Sequence, residues 1–104
     1  MNRQVIINKV RQVIIKVAPD AKIILYGSVA RGEATNASDI DILILLDREN
    51  ITYQERTEIT DHLYDIELET GEIISTFVYS KIAWDREHSA TPLYQEITRE
   101  GIVL

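Results

Sequence analysis

The sequence predicts a small α/β or α+β domain in which helices pack on a three-stranded sheet. Apolar residues recur at helical spacing in several stretches, whereas three shorter runs are rich in β-branched and apolar residues, as buried strands are. These helical and strand patterns alternate along the chain, which is typical of helices layered on a sheet. A chain of 104 residues can bury one core, so residues 1–104 are predicted to form one domain.

The predicted elements follow in the order α-β-α-β-α-β-α-α, and the second helix is short. The first helix places Ile6 and Val10 on one face, and residues 18–20 end it with a proline. Thr91 and Pro92 form a helix start, because proline is tolerated in the first helical turn. The predicted helices are residues 3–17, a short segment after Gly27, residues 52–70, a short helix capped by Ser80 and a last helix ended by Gly101; the predicted strands are residues 22–26, 39–46 and 72–79.

The composition limits the cellular environments and the kinds of partner that are expected for this chain. It contains no cysteine, which excludes disulfides and cysteine metal sites and fits a cytoplasmic protein. No apolar stretch approaches the length of a membrane span. The net charge of -6 repels phosphate backbones, so direct nucleic-acid binding is not expected. A nucleotide could still bind, because a metal ion can supply the missing positive charge.

Gly27 and Ser28 lie where the first strand turns into the short helix. Glycine has no side chain, so phosphate oxygens could approach its backbone closely, and a helix start directs free N–H groups at an anion. The Ser28 hydroxyl could add one hydrogen bond. The alternative is an ordinary strand-to-helix turn with Ser28 as the N-cap, and this pair of residues taken alone favours that alternative.

Asp39 and Asp41 are two residues apart on a predicted strand, so both side chains leave the same face. Their oxygens could converge on one cation or bridge two. No basic residue lies within the strand, and a buried carboxylate without a partner is costly, so a hard cation such as magnesium is the expected partner. The alternative is a solvated strand start, but Asp41 lies inside the apolar run.

The positions of these residues also predict how the first two strands pair. Gly27 ends the first strand and Asp39 begins the second. If both line one site, these opposite strand ends meet at one edge of the sheet, so the strands are antiparallel. A Rossmann pair differs, because there the carboxyl ends of parallel strands share the site.

These residues together resemble a known signature. Gly27-Ser28, ten further residues, and then Asp39-Ile40-Asp41 resemble the motif of the DNA polymerase beta superfamily of nucleotidyltransferases. The amino-acid sequence of residues 27–33 and 38–43 is similar to that of the minimal nucleotidyltransferases of bacteria and archaea. The resemblance implies a small mixed sheet flanked by helices. It also implies transfer of a nucleoside monophosphate from a triphosphate to a hydroxyl group, with release of pyrophosphate.

The resemblance assigns roles to five residues. Asp39 and Asp41 would be the catalytic carboxylates and the ligands of Mg²⁺, and Gly27 and Ser28 would hold the phosphates of the nucleotide. Arg31 follows Ser28 by one helical turn and would reach a phosphate. A role for Arg31 as a surface helix cation is an equal alternative.

One position departs from the family pattern. Members that catalyse transfer usually carry a third carboxylate on the next core strand, where this chain has Ser75, with Thr76 as the alternative alignment. The nearest carboxylate is Glu72, at the mouth of that strand. The resemblance therefore supports nucleotide binding more strongly than turnover.

The resemblance also implies a partner protein. Minimal nucleotidyltransferases are commonly the antitoxins of toxin–antitoxin pairs whose toxin is a helical HEPN-type ribonuclease, and some transfer AMP from ATP to a tyrosine of that toxin. A different class of function stays open, namely a nucleotide-binding inhibitory or sensing module with weak catalysis. A third reading, nucleotidylation of an antibiotic, would need a domain that encloses the drug.

Overall fold

The structure follows the predicted element order with one addition. The computed structural model describes residues 2–104. Its helices are α1 (Arg3–Val17), α2 (Gly27–Arg31), α3 (Tyr53–Thr70), α4 (Lys81–Glu87) and α5 (Pro92–Glu100), and its strands are β1 (Lys22–Tyr26), β2 (Ile40–Leu46), β3 (Ile74–Ser80) and β4 (Ile102–Val103). Within residues 2–104, no helix has both the length and the apolar character needed to cross a membrane.

The strands form one mixed sheet in the order β3-β2-β1-β4. β1 and β2 are antiparallel, as the positions of Gly27 and Asp39 predicted, and β2 and β3 are parallel. The sheet has four strands rather than the predicted three, because β4 pairs with β1 through Ile24–Val103 and Leu25–Ile102. A strand of two residues is too short to show an alternating pattern, which needs about four residues.

Two strands begin slightly later than the sequence predicted. The predicted strands starting at residues 39 and 72 begin at Ile40 and Ile74. The ladder between them starts with a hydrogen bond of 2.9 Å from the Ile40 N–H to the Ile73 carbonyl. Asp39 therefore lies just outside the sheet, on the loop that enters β2.

The two faces of the sheet carry separate cores, because successive strand residues point to opposite sides. The larger core lies between the sheet and helices α1 and α3, and β2 contributes to it Ile40, Ile42, Ile44 and Leu46. The smaller core packs α4 and α5 on the opposite face and consists of Ile24, Tyr26, Leu43, Leu45, Trp84 and Ile97. Asp41 points to this second face, since it alternates with Ile40 and Ile42.

Local sequence signals account for most of the helix ends. Thr52 and Glu55 form a capping box at the start of α3, in which each side chain accepts a hydrogen bond from the other residue's backbone N–H. Gly71 ends α3 with φ +76°, a conformation that glycine adopts without strain. Ser80 caps α4 and Thr91 caps α5, as the sequence predicted.

Candidate active site

The predicted site residues meet at one edge of the sheet. Tyr26, the last residue of β1, pairs directly with Asp41 near the start of β2. Gly27 and Ser28 follow Tyr26 and open α2, while Asp39 lies two residues before Asp41, close enough for its charge to raise the pKa of Asp41. The antiparallel pairing of β1 and β2 thus brings the Gly-Ser turn next to both carboxylates.

Gly27 contacts Asp41 so closely that any side chain at this position would have to displace the Asp41 carboxylate. A Cβ atom built on Gly27 would lie 2.2 Å from Oδ2 and 3.1 Å from Cγ of Asp41. Gly27 also has φ +75°, in the left-handed region that favours glycine. The missing side chain therefore makes room for the Asp41 carboxylate as well as for any ligand at the turn.

The first turn of α2 has unpaired backbone donors. The N-cap of α2 is Tyr26, whose side chain forms no capping hydrogen bond, so the alternative reading of Ser28 as N-cap is wrong. Within residues 2–104, the N–H groups of Ser28 and Val29 have no hydrogen-bond acceptor. Free N–H groups beside a glycine are the arrangement that binds phosphate oxygens.

The two carboxylates form an electrostatically unfavourable pair. Burial raises the pKa of Asp41, the charge of Asp39 raises it further, and Arg31 lowers it. Neither carboxylate forms a hydrogen bond or a salt bridge to a side chain in the part of the chain that the structure describes. The pair therefore lacks a cationic partner at close range.

Tyr26 belongs to the smaller core and pairs with Asp41 across the β1–β2 ladder. Its side chain is 6% exposed, and burial together with the charges of Asp41 and Glu96 raises its pKa to about 12. Tyr26 is therefore a neutral phenol at physiological pH, and its side chain lies on the same face of the sheet as Asp41.

Arg31 is held by one neighbouring carboxylate and by two from a distant part of the chain. Its guanidinium forms salt bridges to Glu33 at 3.3 Å, Glu96 at 3.3 Å and Glu100 at 2.9 Å. The hydrogen bonds to Glu100 and Glu33 raise the pKa of Arg31. The sequence did not indicate Glu96 and Glu100 as neighbours of the site, because both lie on α5, more than sixty residues away from Arg31.

Ser75 lies beside Asp41, at the position where the order of the elements placed the third carboxylate of the family. It pairs with Asp41 in the parallel register of β2 and β3, so the two side chains share a face, whereas Thr76 points to the other face. Glu72, the nearest carboxylate in the sequence, is paired with Arg3 on α1 through a salt bridge of 3.5 Å. Arg3 also donates a hydrogen bond of 2.7 Å to the Ser38 carbonyl, next to Asp39, and so fixes the loop that enters β2.

The donor set of this edge fits a divalent cation that arrives with a nucleotide. Among residues 2–104, no group of three or more acidic, histidine or cysteine side chains could hold a metal ion by itself. Two carboxylates and one hydroxyl supply part of an oxygen coordination shell, and magnesium commonly completes such a shell with phosphate oxygens and water. Asp41, partly buried with its pKa raised, would gain the most from a nearby positive charge.

The fold and the geometry of this edge define a nucleotidyltransferase. The family model described as "Nucleotidyltransferase domain" matches residues 7–102. The chain belongs to this family, and its class of activity is nucleotidyl transfer. No curated protein matches the sequence.

Solved structures of toxin–antitoxin complexes share this fold. A complex with AMP-PNP contains a chain 22% identical to this one, with a TM-score of 0.65 over 92% of this chain and 69% of that chain. An MntA–HpeT variant complex is similar at 24% identity, with a TM-score of 0.63 over 93% and 69%. The complex of a tri-AMPylated Shewanella oneidensis HEPN toxin with an MNT antitoxin is similar at 18% identity, with a TM-score of 0.59 over 98% and 71%. At these identities the likeness is one of fold.

Proposed function

We propose that this nucleotidyltransferase transfers AMP from ATP to a hydroxyl group of a partner protein, with Mg²⁺ as its cofactor. The proposal depends on one observation above all, the packing of the Asp41 carboxylate against the backbone of Gly27. This contact brings an anion-binding turn and a pair of carboxylates together without an intervening side chain.

The residues of the turn would bind and orient the triphosphate. The free N–H groups of Ser28 and Val29 would donate to phosphate oxygens, and the Ser28 hydroxyl would add a further hydrogen bond. Asp39 and Asp41 would hold the magnesium ion, which neutralises charge on the phosphates and polarises the phosphorus that is attacked.

Arg31 would act on the phosphates only after it changes partners. It is now paired with three carboxylates, which compete with any phosphate for the same guanidinium. A triphosphate carries more charge than one carboxylate and accepts bidentate hydrogen bonds from arginine, so an exchange is chemically reasonable. The nucleotide-binding role of Arg31 is therefore part of the proposal.

The acceptor would come from outside the chain. The carboxylates lie at an exposed edge, with Asp39 and Asp41 half-buried, so a second protein can approach them. We assign this chain to the antitoxin side of a HEPN toxin pair, with the toxin as acceptor. Two of the similar complexes support this assignment, since one contains AMP-PNP and the other an AMPylated HEPN toxin.

A second candidate function follows from Ser75. A neutral hydroxyl beside Asp41 is a weaker ligand than the carboxylate that catalytic relatives are expected to have there. The chain could then bind nucleotide and inhibit or sense its partner without efficient transfer.

Release of pyrophosphate separates the two candidate functions. The chain would be purified together with its natural partner and incubated with ATP and magnesium, and pyrophosphate would be measured over time. If the chain transfers AMP, pyrophosphate release should require the partner. It should also disappear when the chain carries Asp39→Asn. Nucleotide binding without pyrophosphate release would select the binding module instead.

A further inference from the structure

β3 is an edge strand, and half of its backbone groups face away from the sheet. The hydrogen bond from the Ile40 N–H to the Ile73 carbonyl and the parallel register fix which groups pair with β2. In this pattern, the backbone groups that hydrogen-bond to β2 belong to residues 73, 75, 77 and 79. The N–H and carbonyl groups of Ile74, Thr76 and Val78 therefore face outward.

Helix α3 covers both ends of this edge but not its centre. Glu67 accepts a hydrogen bond of 2.7 Å from the Ile74 N–H, and Arg56 donates one to the Val78 carbonyl. These contacts protect an edge that would otherwise pair with other strands. Within the described residues, however, the Thr76 N–H, the Thr76 carbonyl and the Val78 N–H have no partner.

A cleft runs along this unprotected centre, between α3 and β3. Its volume is about 330 Å³, and its walls are Thr60, Asp61, Leu63, Tyr64, Glu67, Ile74 and Thr76. Leu63 and Ile74 are buried and form an apolar floor, whereas Tyr64 is 57% exposed at the rim. Exposed aromatic side chains beside an apolar floor are typical of protein interfaces.

The charges around the cleft favour a basic partner over a second copy of this chain. Asp61 and Glu67 line the cleft, Glu58 and Asp65 are exposed on the same helix, and the whole chain carries a net charge of -6. A second copy would bring an identical acidic helix against the first one, and like charges at an interface are unfavourable. A segment rich in lysine or arginine would be attracted instead.

We propose that the cleft between α3 and the outer edge of β3 binds a short, extended, basic segment of a partner protein, which adds to β3 as a fifth strand of the sheet. The backbone of this segment would accept hydrogen bonds from the Thr76 and Val78 N–H groups and donate one to the Thr76 carbonyl. An apolar side chain would enter the cleft above Leu63, and neighbouring basic side chains would contact Asp61. Main-chain hydrogen bonds with alternate side-chain pockets are how strands add to sheet edges.

The binding of a labelled model peptide tests this interface without any transfer reaction. The probe is a short fluorescein-labelled peptide of alternating lysine and valine, and its control alternates glutamate and valine. We expect the basic peptide to bind the full chain and the acidic peptide not to bind. Amide exchange should slow at Thr76 and Val78 when the basic peptide is present, because their N–H groups become paired.

Two charge variants separate the contribution of the cleft to peptide binding from that of the overall negative charge of the chain. Asp61→Lys should raise the Kd of the basic peptide about tenfold. Glu49→Lys changes the net charge equally, but at an exposed loop position outside the cleft, and should have little effect. Thr76→Pro should also weaken binding, since it removes an outward N–H that the sheet does not use.

Four results would overturn the proposal. The first is failure of the basic peptide to bind, and the second is equal weakening of its binding by the two lysine variants. The third is unchanged exchange of the Thr76 and Val78 amides on binding, a measurement on the unaltered chain that does not depend on how any variant folds. The fourth concerns a second copy of the chain. Protection of these amides without peptide, in a dimer that forms with rising concentration, would assign the edge to a second copy.

Discussion

At the scale of single residues, the stability of the protein is linked to the ionisation of Asp41. Burial and Asp39 raise the pKa of Asp41 above its ordinary value of 3.8, so the folded state favours the protonated form. The stabilising effect of this proton is present below 3.8 and is lost as the pH rises through the raised value. At neutral pH the ionised Asp41 therefore destabilises the fold.

We predict that Asp41→Asn unfolds at a higher temperature than the wild type at neutral pH. The asparagine cannot ionise, so the difference should shrink as the pH is lowered toward 3.8. Thermal unfolding measured across this pH range checks the prediction, and Asp65→Asn, on the exposed side of α3, should show no comparable gain. An Asp41→Asn variant less stable than the wild type at neutral pH would contradict the destabilising effect of the ionised carboxylate.

The same two carboxylates should decide metal-dependent nucleotide binding. We expect Asp39→Asn and Asp41→Asn each to abolish the magnesium-dependent part of ATP binding, because a neutral amide is a poor ligand for a hard cation. Isothermal titration calorimetry with and without magnesium measures this part directly, and circular dichroism checks that the fold is kept. Unchanged affinity in both variants would refute the assignment of Asp39 and Asp41 as metal ligands.

Two glycines allow the effect of backbone strain to be separated from the effect of a steric clash with Asp41. Gly27 and Gly32 have nearly the same φ, +75° and +74°, but a Cβ on Gly32 meets no atom within 4 Å. Alanine at either position pays about 1 kcal/mol for a left-handed conformation. Only Gly27→Ala also displaces the Asp41 carboxylate.

We therefore expect Gly32→Ala to lose modest stability and keep its ATP affinity, whereas Gly27→Ala loses ATP binding. Denaturant unfolding and calorimetry on the two variants give both quantities. If both variants bound ATP as the wild type does, the turn at Gly27 would be a structural turn and no more.

At the scale of elements, helix α5 controls whether Arg31 is available. Glu96 and Glu100 project from α5 to the guanidinium, which otherwise carries only the contact to Glu33. We predict that the double change Glu96→Gln and Glu100→Gln increases ATP affinity, because it frees Arg31. Arg31→Ala should weaken binding by about 2 kcal/mol, the value of a hydrogen bond to a charged group. Calorimetry showing no change in either protein would make Arg31 a surface cation.

The register of β2 and β3 predicts where a third carboxylate would act. Ser75 lies beside Asp41, so Ser75→Asp should raise the rate of pyrophosphate release at least about tenfold if that position holds a metal ligand in catalytic relatives. Thr76→Asp is the matched control, since it adds the same group on the opposite face. Equal rates in the two variants, or a decrease in Ser75→Asp alone, would contradict the assignment.

The elements that the sequence predicted are those whose ends are encoded by neighbouring residues. Helix ends at Thr52, Gly71, Ser80 and Thr91 depend on neighbouring residues, and the antiparallel pairing of β1 and β2 followed from the chemistry of their ends. β4 could not be predicted, because two residues carry no period and their pairing depends on the position of β1.

At the site, too, the contacts between residues far apart in the sequence could not be predicted. The salt bridges of Arg31 to α5 and of Arg3 to Glu72 join residues more than sixty positions apart, and no local pattern encodes them. The packing of Asp41 on Gly27 was foreseen only as proximity, since the sequence does not give the distance.

At the scale of the whole molecule, the arrangement suggests two surfaces with separate tasks. On our proposals, the edge with Asp39 and Asp41 binds the nucleotide, and the outer edge of β3 with its acidic helix binds a basic partner. The net charge of -6 favours association with a basic protein at a rate that should fall as salt is added. Both surfaces are exposed, so the acceptor need not enter an enclosed pocket.

We propose above all that the Asp39–Asp41 edge transfers AMP to a partner protein. The most direct test is intact mass spectrometry of the partner that co-purifies with this chain, after incubation with ATP and magnesium. We predict that the partner gains the mass of one or more adenylyl groups, and that it gains none when the chain carries Asp39→Asn and Asp41→Asn. A partner of unchanged mass, in a complex that calorimetry shows to bind ATP, would contradict transfer and leave a nucleotide-binding module in its place.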